Sequence, residues 1–176
     1  MKFYYTGGKV LNDWQPDAEK SLGNFISENE IGNGSLSNIF SDISLLGQSR
    51  ELVEIKAIAL KNTLLVPVTN VYLYFTYPVI DKNAKLEVGK EVFVSGKIGT
   101  IPNSRSLPYG VTFSESSAIG TKILLASSLA VGEAIGVWLR RTILPAPVNS
   151  VEKENLEAYL LAQTKVENIV ISIEYT

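Results

Sequence analysis

Across 176 residues the chain has no cysteine, no histidine and a single methionine. Without cysteine there is no disulfide framework, no thiolate metal site and no thiol nucleophile. Without histidine, the commonest metal ligand and the usual general base near neutral pH are both missing. Most familiar hydrolase and metalloenzyme designs are thereby excluded, which leaves carboxylate, lysine or tyrosine chemistry. Charge of one sign is lacking too: 16 basic and 18 acidic residues give a net charge of −2 and a pI near 5.3. Direct nucleic-acid binding would call for a clustered basic face, and this balance offers none. No apolar run is long enough to span a bilayer; the longest, residues 123–131, carries two serines. Residues 1–8 lack the apolar stretch of a secretory signal, so synthesis and retention in a cytoplasm until lysis are expected.

What is present is apolar for its size. Mean hydropathy is +0.14 and only 19% of residues are charged. A surface of that kind tends to be hidden against partners, which makes oligomerisation the natural expectation. The length suits one core burying roughly 70% of the unfolded surface, without help from metals or disulfides.

The pattern is that of an all-β protein. In the run from Glu51 to Tyr77, two strands meet at a polar Lys61-Asn62-Thr63 corner. In the first, Val53, Ile55, Ala57 and Ala59 share one face. Leu52, Glu54, Lys56, Ile58 and Leu60 share the other, which starts polar and ends apolar as if entering a core obliquely. In the second, Val71, Leu73 and Phe75 alternate with Tyr72 and Tyr74, a period of two. Further strands are expected over 85–88, 91–97, 110–114, 122–126, 134–143 and 168–175. Their spacing, with Gly and Pro between, predicts an antiparallel β-sandwich of jelly-roll or Ig-like type. Asn149 or Ser150 can cap one short C-terminal helix over 150–163, with early acids at the positive end of its dipole. Residues 1–50, rich in Gly, Asn, Ser and Asp, are expected as an N-terminal strand and an extended arm, with the sandwich over 51–176. The arm either laps onto a neighbouring subunit or wraps its own sheet.

Candidate chemistry is thin. Arg140 and Arg141 could grip an anion, but adjacent strand residues point to opposite faces and cannot form one clamp. One pairing with a carboxylate and the other at an interface is the preferred reading. Trp138 could stack on a ligand ring, yet a core or interface role suits it better. Tyr72, Tyr74 and Tyr77 could hold a sugar ring or a subunit, since aromatic residues serve both. Asp13, Asp17, Asp42, Glu51, Glu54, Asp81, Glu115 and Glu133 are scattered, and no spacing singles out the facing pair a glycosidase needs. Gly7-Gly8 and Gly32-Asn33-Gly34 lack the strand–helix context of a phosphate loop. No catalytic residue, cofactor or metal site is expected. Interface candidates are Trp14, Phe40, Tyr72, Tyr74, Trp138, Arg140 and Arg141.

The order of several segments resembles a group of small β-rich structural proteins of tailed-bacteriophage virions. The segments are Ile31-Gly-Asn-Gly-Ser-Leu-Ser-Asn-Ile-Phe-Ser-Asp-Ile-Ser44, then Ile55 to Thr63 ending in Lys-Asn-Thr, then Val71-Tyr-Leu-Tyr-Phe75. Gly110-Val-Thr-Phe-Ser114 and Val137-Trp-Leu-Arg-Arg-Thr142 follow. The similarity spans roughly residues 20–145, and the 150–163 helix departs from the pattern. The resemblance implies a non-enzymatic virion component of the neck or tail, or a capsid decoration protein. It implies a homo-oligomer in the form of a ring that contacts other virion proteins. A glycan- or receptor-binding module of a host-recognition fibre is the alternative.

Overall fold

The computed structural model describes residues 1–32, 39–40, 50–75, 84–115, 121–145 and 171–176. Their strands are β1 (Lys2–Gly8), β2 (Gly23–Glu30), β3 (Leu52–Lys61), β4 (Val68–Phe75) and β5 (Ala84–Val92). Then come β6 (Lys97–Thr100), β7 (Ser114–Glu115), β8 (Ile123–Leu129), β9 (Ala134–Ile143) and β10 (Ile171–Glu174). Among the described residues the fold is all-β, with one 3-10 turn at Ala18–Lys20. A seven-stranded sheet runs β6-β2-β1-β3-β9-β5-β7, and a three-stranded sheet runs β10-β4-β8. All pairings between these strands are antiparallel. The helix expected over 150–163 lies outside the described residues, as do Asp42, Tyr77 and Asp81.

Two cores explain why β3 and β9 are apolar on both faces. Ile58 and Leu60 of β3, with Val137 and Leu139 of β9, meet Val71, Leu73 and Phe75 of β4 and Leu125 of β8 between the sheets. On the opposite face Ile55, Ala57 and Trp138 pack with Ile98 and Ile101. The second core exists because the large sheet curls. Val94 and Lys97 exchange backbone hydrogen bonds at 2.8 and 3.2 Å around Ser95 and Gly96, both at positive φ. This two-residue turn links β5 to β6, which lie toward opposite ends of the strand order. The sheet must therefore bend back on itself, and the Trp138 cluster fills the bend.

Several expectations are corrected. Residues 2–8 and 23–30 belong to the large sheet, with β1 between β2 and β3, so residue 50 marks no boundary of that sheet. An arm reading fails there because β1 and β2 satisfy each other's backbone groups and those of β3 and β6. The expected break near Gly89 is absent: β5 runs through it, and the missing Cβ leaves room for Val111, whose Cγ1 would lie 2.4 Å away. The strand expected over 91–97 is instead split by the Ser95-Gly96 turn. Most of 110–114 is loop; Ser114–Glu115 alone pairs. Ala134–Ile143 has the expected bounds.

The polar Lys61-Asn62-Thr63 corner carries the chain from one sheet to the other. Asn62 is fully buried. Its Nδ2 donates to the carbonyls of Val66 and Leu129 at 2.9 and 3.1 Å, and its Oδ1 accepts from the Leu64 N–H at 3.0 Å. Its backbone N–H donates to Glu133 and its carbonyl accepts from Gly132. One side chain thus ties the β3–β4 corner to the β8–β9 turn.

Candidate interaction surfaces

The paired arginines follow from the ladder around β9. Arg140 lies opposite Glu87 of β5, and Arg141 lies opposite Glu54 of β3. Arg140 donates to both oxygens of Glu87, with Nε to Oε2 at 2.5 Å, and its guanidinium lies 4.5 Å from the Phe113 ring centre. The hydrogen bond to Glu87 raises its pKa above the ordinary arginine value, against the lowering effect of burial. Arg141 donates to Glu54 at 2.5 Å and stacks 4.7 Å from the centre of Phe40. Both arginines pair within the chain, where one had been expected at an interface.

Lys56, fully buried, sits 3.5 Å from the other Glu54 oxygen and 3.1 Å from Glu19. The polar start of that β3 face is therefore not outside the core. Glu54 and Lys56 are buried as a charge cluster completed by Arg141, which is how buried charges are tolerated.

The seven candidates do not converge. Trp138 is wholly enclosed in the second core, where its indole N–H donates to Glu91 at 2.8 Å. It is closed to a ligand ring or a neighbouring subunit because its own sheet curls around it. Phe40 is half-buried beneath Arg141. Tyr72 and Tyr74 are half-buried on the β4 face that alternates with its core residues. Beside them Lys122 donates to both oxygens of Glu174 at 2.7 Å, and that hydrogen bond raises its pKa. Trp14 stays 68% exposed, in the same loop as exposed Val10 and Leu11.

The more prominent surface was missed in the sequence. Leu65 is 94% exposed, and Val66 and Val131 are also exposed. All three stand on the two loops that Asn62 fastens together. A second exposed pair, Leu107 and Tyr109, stands on the loop between β6 and β7. Apolar residues just after a polar corner and before Pro67 were the available signal for the first group.

Among the described residues the acids give no facing pair free for catalysis. Glu87 and Glu115 are register partners, but Glu87 is held by Arg140. Asp17 caps the 3-10 turn by accepting from Glu19 N–H, and Glu133 accepts from Ala130 N–H at 2.8 Å. Among the described residues no three His, Cys, Asp or Glu side chains gather closely enough to hold a metal ion. Nor is any described helix long and apolar enough to cross a membrane. Gly7 serves the backbone, not a phosphate: φ is +94°, and a Cβ there would stand 2.2 Å from the Lys20 carbonyl oxygen. Compared with known proteins, the chain matches no family model, no curated protein and no solved structure.

Proposed function

We propose that this chain is a non-enzymatic structural subunit of a tailed-phage virion, of the neck or tail region, assembling with copies of itself as a ring and with other virion proteins. The observation that carries this reading is the apolar tip formed by Leu65, Val66 and Val131 on loops braced by Asn62. Large apolar side chains held on fixed loops offer contact area at little conformational cost. The order of sequence segments resembling virion proteins supports the biological setting. Two curled antiparallel sheets sharing an apolar interior support a jelly-roll or Ig-like sandwich as the finer architecture.

The test is to locate the protein in purified, imaged particles, and to repeat this with Leu65, Val66 and Val131 all changed to Ser. The variant is expected to fold and to lose incorporation. A compact monomer absent from every particle would end the proposal. A position on the capsid surface would favour capsid decoration over the neck or tail.

A second reading, a carbohydrate- or receptor-binding module, is favoured by the half-exposed Tyr72 and Tyr74 beside the Lys122–Glu174 pair. Glycan-array binding lost on Tyr74→Ala would select it; no binding to any glycan would remove it.

A further inference from the structure

The two sheets part between β7 and β8, and the opening is a groove of about 580 Å³, within the roughly 300–1,000 Å³ of small-molecule sites. Strand alternation decides which side chains enter it. On β5, Leu86 and Val88 are buried against the small sheet, so Lys90 falls on that face too. Ser114 is the register partner of Val88 and shares its face. Glu115 is the partner of Glu87, so its carboxylate falls on the opposite face with the Arg140 pair. The groove is thus lined by an apolar pair, Val88 and Ile123, and by three hydroxyl residues, Thr112, Ser114 and Thr121.

One charge stands in it uncompensated. Lys90 Nζ donates to the Leu124 carbonyl at 2.7 Å, which holds the ammonium across the groove but leaves two of its three donors and its whole charge. Among the described residues no carboxylate pairs with it. Lys122, at the rim, is by contrast already matched by Glu174. A fixed cation among hydroxyl side chains suits an oxyanion that carries hydroxyl groups of its own. A neutral ligand would leave the charge unmatched, an aliphatic one would strand the hydroxyls, and a cation would be repelled. The Leu124 wall leads on to Tyr72, its partner in register, with Tyr74 on the same face.

We infer that this groove binds the acidic residue of a saccharide, with its carboxylate on Lys90 and its hydroxyls on Thr112, Ser114 and Thr121. The next ring crosses Leu124 onto the aromatic faces of Tyr72 and Tyr74. The inference rests on the carbohydrate-binding reading, the second of the two above, for which it names the ligand class and the site. It does not depend on where in a particle the chain resides.

A printed array of neutral and carboxylated oligosaccharides, followed by calorimetry on the strongest binder, tests this. Carboxylated oligosaccharides should bind at least about tenfold more tightly than their neutral counterparts, the scale of one charge-assisted hydrogen bond. Lys90→Met should erase that preference, and Lys90→Arg should keep it. Because Lys90→Met also opens the clasp on β8, Ser114→Trp supplies a second check. It fills the groove, leaves Lys90 in place and should abolish binding. A preference for neutral glycans, or an acidic preference that survives both Lys90→Met and Ser114→Trp, would overturn the groove assignment. Binding still lost on Tyr74→Ala in that case would leave the carbohydrate reading standing without it. Inorganic phosphate or sulfate that displaces the saccharide at equal concentration would overturn the sugar-acid class. Absence of binding to every glycan would remove the inference and the reading together.

Discussion

The enclosed indole N–H of Trp138 donates to Oε2 of Glu91, while Oε1 of the same carboxylate accepts the Gly99 N–H, both at 2.8 Å. One side chain of β5 therefore fastens the second core to edge strand β6. Glu91→Ala strands the indole donor and should cost about 1–3 kcal/mol in urea unfolding. Combined with Trp138→Phe, which removes that donor, the losses should fall short of additive. Strict additivity would deny the coupling.

Glu54 stands between two cations, Lys56 and Arg141. Glu54→Leu leaves both without their shared partner in a buried setting and should cost about 3–5 kcal/mol. Lys56→Met removes a buried charge while Glu54 keeps Arg141, so its cost should be far smaller, or stability should rise. Denaturation midpoints in the opposite order would contradict the cluster.

Two glycines at positive φ should respond differently to alanine. At Gly7 the new methyl would meet the Lys20 carbonyl oxygen at 2.2 Å, whereas at Gly132 nothing lies within 4 Å. Gly132→Ala should show only the conformational penalty, about 1 kcal/mol. Gly7→Ala should exceed it by at least about 1 kcal/mol, since backbone must move. Thermal melts of the two variants decide this.

Stability should fall in alkaline solution. Burial, with Asp17 nearby, raises the Tyr5 pKa above the ordinary 10.0. As pH rises past 10.0 the unfolded chain ionises first, so it binds fewer protons than the folded chain and stability drops until the folded value is passed. Lys2 and Lys122, raised by Glu30 and Glu174, act in the same direction above 10.5. Tyr5→Phe should make the alkaline decline shallower in denaturation curves taken from neutral pH upward; an unchanged slope would count against the assignment.

Much of the β pattern was legible because alternation is a local property. The bounds of β9 and the Val71-Leu73-Phe75 face of β4 could be read directly. What failed depended on contacts distant in sequence. Asn70, in the left-handed region at φ 53°, resets the alternation so that Val68 and Val71 are both buried. A period count started at Val71 could not reveal this. Lys56 read only as part of the polar start of its face, because its partner Glu19 comes from a turn 37 residues earlier. The Ser95-Gly96 turn had a readable signal, but its consequence, a curled sheet with Trp138 inside, depends on which strands pair. For the surfaces, the aromatic and arginine residues drew attention by type, whereas exposure fell on Leu65, Val66 and Val131. Only the three-dimensional position of Asn62 brings those two loops together.

The central place of β9 bears on how the protein is made. Strand β3 is synthesised early and its neighbour across the sheet some seventy residues later. A nascent chain halted before Ala134 would hold β3 and β5 with no strand to join them, each offering bare amides and carbonyls. Synthesis therefore carries a vulnerable interval, and shielding by a chaperone during that interval would matter more to yield than any single contact in the finished protein.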